Sequence, residues 1–441
     1  MKRVLSVWLA TLLLAGMAML AGIPTAAAPL DTNGNGGKTD VGAWFVTYNT
    51  EKMWANNFGN GIPIKYRVLM PDGSYGIPDS LDDSVIDFQL EQLAQAQVDF
   101  ILFDLTNGGL TEKIPYGWGG NNWITDSALQ TCARIREWNA THDWKLRYAV
   151  AVGVYANLRG SLSIGEAAEY QSEGVWDLFY SRYQEEYYTV EGKPLMVLHD
   201  FGRENPATIG NGWNNYVASS MTDHDSGERF TMRGSLSTPM EDTGISWYTP
   251  PEGTIVTEEA VTVSPGQWNH SGTQPNKRRN NGQSYINDWK TVLNSSITPG
   301  MVLIASFNDY NEDTAVFTAD TSGCDPNWTE PWYDDTGALN PSMYWEITKE
   351  GIARLRQKNG DGTEEAAAAL IARQSREWLS DKPAGDSDSG TKTGLVAAFA
   401  EALKADGSGA VAKAGWVLAG FVAVLLAAAV IIVTVALKKP R

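Results

Sequence analysis

Strand-like and helix-like segments alternate along most of this chain, and that alternation constrains the fold more than any other feature. The apolar run "DFILFDLT" (99–106), for example, is followed by "TDSALQTCARIREWNATH" (125–142), which has helical spacing. Such pairs recur about eight times, which is typical of consecutive parallel βαβ units. We therefore predict an α/β fold, a (β/α)8 TIM barrel over residues 41–375. An open doubly wound sheet is the alternative, but the first turn, "GAWFVTYNTEK", lacks the glycine-rich sequence typical of that fold.

Two apolar segments outside the barrel predict export and membrane anchoring. Basic residues, an apolar stretch and small residues over 1–28 are typical of a cleavable secretory signal. The uncharged run 414–437 exceeds the roughly 20 residues needed to cross a bilayer. The basic residues of 438–441 place the C-terminus in the cytoplasm, so the ectodomain lies outside the cell. The other segments are a flexible leader (29–40) and a linker with a short helix (376–413).

Composition excludes several classes of function. The net charge is −18, and no basic patch supports binding to nucleic acid. The four histidines form neither HxxxH nor HExxH, and the two cysteines lack the spacing of a zinc site. No metal and no cofactor is therefore predicted. Cys132 and Cys324 would face an oxidising space, and their pairing stays open.

Polar and aromatic residues follow strand after strand at the end where barrel enzymes place their active sites. Each alone could be an ordinary solvated loop residue, whereas the whole set predicts a ligand groove. Tryptophans in the loops favour a carbohydrate, because the apolar faces of sugar rings stack on aromatic side chains; the alternative is that many of them cover the core. Tyr155 and Gln267 also end strands. The predicted substrate-binding residues are Tyr48, Asp104, His199, Asp200, Trp247, Tyr248, Trp268, Asn308 and Tyr310.

Two carboxylates follow the last apolar strand, in "SFNDYNEDTAVFT" (306–318). Glycoside hydrolysis requires one carboxylic acid to protonate the leaving oxygen and a second carboxylate as base or nucleophile. Glu312 and Asp309 are therefore the predicted catalytic pair, with Glu312 as the acid/base and Asp309 ionised beside it. Oxygen ligands in "NDYNED" could also bind calcium, but the spacing differs from that of an EF-hand loop.

The stretch "SFNDYNEDTAVF" resembles the "WNEWxEGTxIEP" signature of the glycoside hydrolase clan that contains endo-α-mannosidases and α-1,3-glucanases, families 99 and 71. Four further stretches agree in order: "QLEQLAQAQVDFILFDLTNGG", "VEGKPLMVLHDF", "AVTVSPGQWNHSG" and "RRNNGQSYINDWKTVL". The resemblance covers about residues 41–356 and implies a (β/α)8 barrel acting on α-linked glycans.

The resemblance also implies roles for the two carboxylates. In endo-α-mannosidases the residue similar to Asp309 deprotonates the sugar 2-hydroxyl, which attacks C1 to give a 1,2-anhydro sugar. The residue similar to Glu312 protonates the leaving group and then activates water. This chain departs from the signature because Asp309 is one methylene shorter and Asp313 replaces glycine. The shorter arm leaves open a changed substrate, an inverting route through water, or loss of activity.

The sequence therefore predicts a membrane-anchored cell-surface glycoside hydrolase whose partners are a glycan and the membrane. The alternatives are a non-catalytic glycan-binding protein on the same barrel and a surface adhesin without glycan specificity. The sugar, the linkage, endo or exo action, and the stereochemical outcome stay open at this point.

Overall fold

The computed structural model describes residues 37–56, 61, 63–114, 123–200, 229–236, 254–268, 275–361, 368–369 and 376–379. The chain divides into two compact units, Met1–Leu379 and Ser380–Arg441, and every described residue belongs to the first. The predicted signal sequence and the 414–437 span therefore lie outside the described residues and stay predictions. In the described ranges, no helix is long and apolar enough to cross a bilayer.

The first unit is built on a sheet of parallel strands. The strands in chain order are β1 (Asp40–Phe45), β2 (Arg67–Leu69), β3 (Tyr75–Gly76), β4 (Phe100–Leu105), β5 (Arg147–Gly153), β6 (Thr189–Val190), β7 (Lys193–Asp200), β8 (Thr231–Leu236), β9 (Ala260–Val263), β10 (Met301–Ile304) and β11 (Ala319–Asp320). Parallel pairing gives the spatial order β9-β10-β1-β4-β5-β7-β8. β6 runs antiparallel to the start of β7, while β11, β2 and β3 form a separate antiparallel sheet.

Helices connect the strands, and local sequence sets where they begin. Asp82 accepts the Ser84 N–H at 2.8 Å at the start of helix Asp83–Gln95. Ser163 and Glu166 form a reciprocal capping box. The α-helices are Glu51–Asn56, Asp83–Gln95, Trp123–Thr141, Ala156–Arg159, Ile164–Val175, Gln283–Asn294 and Met343–Asn359.

The sheet is strongly curved. Trp44 on β1 and His199 on β7 lie three strands apart, which corresponds to about 14 Å in a flat sheet. Their ring centroids are nevertheless 6.4 Å apart, so the side chains of one face converge on a common interior. The structure therefore confirms one part of the predicted barrel, namely a curved sheet of parallel strands.

Described residues just outside the predicted 41–375 pack on the body. Arg356 donates to the Thr39 carbonyl at 2.7 Å. At the other end, the Trp378 N–H donates to Glu350 at 2.6 Å, and the Trp378 side chain is buried. The boundaries at 41 and 375, with the leader and the linker beyond them, stay predictions.

The two cysteines are free and buried, which resolves the open question of a disulfide. Cys132 lies in helix Trp123–Thr141, and Cys324 lies in the loop after β11. Burial raises the pKa of the Cys132 thiol well above its ordinary value and that of Cys324 to about 12. Because the thiolate is the reactive form, both thiols are inert packing groups.

A buried polar cluster closes the amino end of the strands. Asp99 accepts the Val41 N–H at 2.7 Å and pairs with Arg356. Tyr188 donates to Asp40 at 2.8 Å. Burial, followed by the negative charge of Asp99, raises the pKa of Asp40 to about 7, although Tyr188 and Arg356 act in the opposite direction. Asp40 is therefore protonated more readily in the folded protein than in the unfolded chain.

This shift predicts a pH dependence of stability. Because the folded pKa of Asp40 is raised, its contribution is fully present below about pH 4 and is lost as the pH rises through about 7. The Asp40→Asn variant should lack this loss, which amounts to at most about 4 kcal/mol. Denaturant unfolding between pH 4 and 8 would show the free energy of unfolding falling more steeply in the parent. Parallel curves would show that Asp40 does not titrate in this range.

Candidate active site

The loop after β10, residues 305–318, crosses the carboxyl end of the sheet and is called the acidic loop here. Asn308 anchors it to the end of β1: its Oδ1 accepts the Val46 N–H at 2.8 Å, and its Nδ2 donates to the Val46 carbonyl at 3.0 Å. The side chain thus takes the place of a neighbouring strand. Asn308 is a predicted substrate-binding residue, but both ends of its amide hold the acidic loop to β1.

The acidic loop carries one buried and one partly exposed carboxyl group. Asp309 is fully buried, and its Oδ1 accepts the N–H groups of Asn311 at 3.0 Å and Glu312 at 3.1 Å. Its Oδ2 has no hydrogen bond of ordinary geometry to the described residues, although the Tyr48 hydroxyl is close enough to interact with this carboxyl group. Glu312 is partly exposed and accepts a hydrogen bond from Gln267 at 3.1 Å. Of the predicted pair, Glu312 is therefore the group within reach of a ligand.

Proton affinity is unusually high around these carboxyl groups. Burial, followed by the charge of Glu312, raises the pKa of Asp309 well above its ordinary value. Burial also raises the pKa of Asp104 to about 6, although hydrogen bonds from Thr106 act in the opposite direction. The expectation that Asp309 is ionised is therefore corrected: a carboxyl group this deeply buried beside other carboxyl groups keeps its proton more readily.

Two tyrosines complete the described part of the site. Burial and the charges of Asp309, Asp104 and Glu312 raise the pKa of Tyr48, so all three carboxyl groups lie near its hydroxyl. Burial and the charge of Asp104 raise the pKa of Tyr155 to about 12. The ends of β1, β4, β5 and β10 thus bring together four residues that the sequence placed at strand ends: Tyr48, Asp104, Tyr155 and Asp309.

Three other predicted substrate-binding residues are largely buried. Tyr310 is 1% exposed and donates to the Phe317 carbonyl at 3.0 Å, so it lies in the core rather than in a groove. Trp268 is 3% exposed, and its N–H donates to the Glu312 carbonyl at 2.8 Å. His199 packs edge-on against Trp44, and burial lowers its pKa to about 4, so it is neutral at physiological pH.

The remaining predicted residues stay predictions. Trp247, Tyr248 and the side chain of Asp200 lie outside the described residues; the Asp200 backbone pairs with Leu236 of β8. In the part of the chain that the structure describes, no group of three or more His, Cys, Asp or Glu side chains could hold a metal ion.

A buried ion pair braces the acidic loop from behind, and the sequence did not predict it. Arg279 Nε lies 3.1 Å from Asp313 Oδ1, and its Nη2 donates to the carbonyls of Asp313 at 2.8 Å and Ala315 at 2.9 Å. Tyr66 also donates to the Asp313 carboxylate. Asp313 has a φ of 55°, the left-handed region that favours glycine. At the position where the family signature has glycine, this chain therefore has a carboxylate that binds a buried arginine.

Aromatic rings hold the Arg279 guanidinium in place. It lies 5.1 Å from the centroid of the Trp332 ring and 4.4 Å from that of Tyr344, which are cation–π distances. The side chain is 1% exposed. The basic stretch "NKRRNN" (276–281) therefore contributes a buried structural cation. The pairing of charges separated by 34 residues has no local sequence signal.

Carboxyl groups gathered at the carboxyl end of a curved parallel sheet are typical of barrel enzymes that act on polar substrates. The structure is similar to two solved structures of family 99 endo-α-mannosidases from Bacteroides thetaiotaomicron. One, with bound bis-tris propane, has a TM-score of 0.47 at 14% identity and covers 73% of this chain and 99% of its own. The other has a TM-score of 0.44 at 15% identity and covers 72% and 98%.

A third solved structure, described as a glycoside hydrolase-like protein, has a TM-score of 0.44 at 14% identity and covers 75% of this chain and 97% of its own. No family model matches the chain, and no curated protein matches it. Kinship with the α-1,3-glucanases of family 71 stays a prediction.

The buried ion pair predicts that substitution of Arg279 lowers the free energy of unfolding far more than substitution of the adjacent Arg278. Arg279→Met leaves Asp313 buried without its cation, which should lower the free energy of unfolding by about 3–5 kcal/mol. Arg278 is 53% exposed and lies 3.7 Å from Glu330, so Arg278→Met should cost less than about 1 kcal/mol. Denaturant unfolding of both variants provides the comparison. Equal losses would contradict the assignment of the brace to Arg279.

Proposed function

We propose that this protein is a glycoside hydrolase that cleaves α-linked glycans of the α-mannan or α-glucan type. The observation that carries the proposal is the partly exposed Glu312 carboxyl group at the carboxyl end of the sheet, with buried Asp309 and Asp104 beside it. Neighbouring carboxyl groups whose environments differ are the usual source of an acid and its partner in one site. The sequence resemblance supplies the α-glycan class.

Glu312 is the acid/base in this proposal. A general acid must reach the leaving oxygen, and Glu312 is the member of the predicted pair with exposed surface. Its backbone is fixed from two sides, because its N–H donates to Asp309 and its carbonyl accepts from Trp268 at 2.8 Å. Such fixation keeps a reacting group in one geometry.

Asp309 acts as the partner carboxyl group. Burial and the charge of Glu312 raise its pKa well above the ordinary value, so Asp309 holds a proton more readily than a solvated aspartate does. Neighbouring carboxyl groups in different environments are suited to acid catalysis. The bonds of Asp309 to Asn311 and Glu312 also fix the turn that presents Glu312. Deprotonation of the 2-hydroxyl, the role implied by the resemblance, would require an ionised and accessible group.

The burial of Asp309 favours a second candidate function. If no accessible second carboxylate completes the chemistry, the same groove serves a non-catalytic glycan-binding protein. Glu312, Tyr48 and Asp104 would then act as hydrogen-bonding partners of sugar hydroxyls. The two candidates differ in whether glycan is bound only or also cleaved.

The activity prediction compares three variants with the parent on α-mannans and α-glucans. Glu312→Gln removes the transferable proton and should lower kcat by about 10²–10⁴. An activated aryl glycoside needs little protonation of its leaving group, so its cleavage should fall much less. Asp309→Asn should impair both substrates, because an amide replaces the carboxyl group that exchanges a proton beside Glu312. Glu91→Gln, on an exposed helix surface, is the control and should match the parent.

Release of reducing ends measures turnover in these reactions. A Glu312→Gln variant that cleaves the natural glycan at the parent rate would remove Glu312 from the mechanism. Glycan binding without cleavage by the parent would favour the binding protein over the hydrolase.

The cellular location is a separate proposal from sequence alone. We propose that the first unit is displayed outside the cell and that residues 414–437 anchor it in the membrane. Protease added to intact cells should then release a fragment ending after Leu379, detected by mass spectrometry. A protected body with a cleaved C-terminal tail would reverse this topology.

A further inference from the structure

Glu312 is held by a side chain that belongs neither to the acidic loop nor to the predicted catalytic set. Gln267 follows β9, and its Nε2 donates to Glu312 Oε2 at 3.1 Å. While Glu312 is ionised, the opposite orientation of the amide would place two acceptor oxygens against each other, so the donor Nε2 faces the carboxylate. Gln267 is 1% exposed, which makes this a shielded contact with the reacting group.

The backbone around Gln267 is rigidly anchored. Gln267 and Lys277 exchange backbone hydrogen bonds of 2.8 and 3.1 Å. The two short segments that these bonds join, residues 264–268 and 277–279, are together called the clamp here. Lys277 is fixed in turn, because its Nζ donates to the Ser264 carbonyl at 2.7 Å and to Asp288 at 2.6 Å. Two contacts join the clamp to the acidic loop. The Trp268 N–H donates to the Glu312 carbonyl, and Arg279 forms an ion pair with Asp313.

The other end of the Gln267 amide has no hydrogen-bond partner among the residues that the structure describes. Its Oε1 is buried and accepts no hydrogen bond in the described part of the chain. A buried amide oxygen without a hydrogen-bond donor costs free energy of folding, so such an unpaired group in a folded protein often marks a functional site. An acceptor on the same amide that contacts Glu312 suits the hydroxyl group of a sugar seated against that carboxyl group.

We propose that Gln267 positions Glu312 for the reaction and selects for a substrate hydroxyl adjacent to the bond that Glu312 protonates. The donor Nε2 fixes the carboxyl group. The acceptor Oε1, which is buried in this structure, receives the hydroxyl once substrate binding exposes it. The proposal deepens the glycoside hydrolase assignment and rests on it for the substrate class. The contact between Gln267 and Glu312 is independent of any activity.

Two substitutions separate the parts of this proposal. Gln267→Met keeps the size of the side chain but removes both the donor and the acceptor. Gln267→Glu keeps the size and puts a negative charge against Glu312. Ser264→Ala is the matched control in the same clamp: it removes only the Ser264 hydroxyl bond to the Gly266 carbonyl, 3.2 Å long, and leaves the contact with Glu312 intact.

The first readout needs no substrate. Carboxyl-labelled glutamate in the full-length protein lets NMR follow the titration of Glu312, with Glu312→Gln identifying its signal. A lost donor weakens the ionised form and an added negative charge weakens it further. The midpoint should therefore move to higher pH in Gln267→Met, further in Gln267→Glu, and not at all in Ser264→Ala. Equal midpoints in all four proteins would overturn the positioning role.

The second readout is turnover on the α-glycan that the parent cleaves. Loss of a hydrogen bond to a charged group should lower kcat by about 10–100-fold in Gln267→Met. Loss of the acceptor should also raise KM for the natural glycan and not for an analogue that lacks the hydroxyl. A KM that rises equally for both would overturn the selection of a hydroxyl.

The two readouts also distinguish failure of this proposal from failure of the hydrolase assignment. Shifted midpoints in a parent protein without hydrolase activity would contradict the assignment and leave the positioning contact standing. Unshifted midpoints in an active parent would contradict the positioning contact and leave the assignment standing.

Discussion

The ion pair between Arg279 and Asp313 is the interaction on which the rest of the site depends. It is buried, flanked by aromatic rings, and bonded to two carbonyls of the acidic loop. A buried charge pair is retained only where both partners are well bonded, and here the cation satisfies a loop that leaves β10 and turns back sharply. Asp313 tolerates the left-handed backbone that a turn of this kind needs. Glu312 is the next residue, so its position follows from the brace.

The same burial that gives the loop its rigidity sets the chemistry of its carboxyl groups. Asp309 gives up access to solvent and gains two backbone hydrogen bonds together with a raised pKa. Glu312, three residues along, keeps exposed surface. One turn therefore produces two carboxyl groups in different environments, and this difference is what a proton-transfer site needs. Asp104 and Tyr48 extend the acidic surroundings from neighbouring strands.

The sequence predicted the features with periodic or local signals. Buried strands such as β4 and β10 have apolar sequences, and strand ends located Tyr48, Asp104 and Glu312. It did not predict that Tyr310 lies in the core or that Arg279 is buried, because both depend on contacts between segments distant in the chain. The contacts of Thr39 with Arg356 and of Trp378 with Glu350 likewise join segments far apart in sequence and have no local signal.

The central claim is that the turn braced by Arg279 presents Glu312 to the bond that is cleaved. The most direct test is a crystal structure of the Glu312→Gln variant with an uncleaved α-mannan or α-glucan oligosaccharide. The account predicts that the glycosidic oxygen lies within hydrogen-bond reach of the residue 312 side chain, at about 2.6–3.2 Å. It also predicts that a sugar hydroxyl contacts Gln267 Oε1. A glycan bound away from the acidic loop, with residue 312 outside hydrogen-bond reach of any glycosidic oxygen, would contradict it.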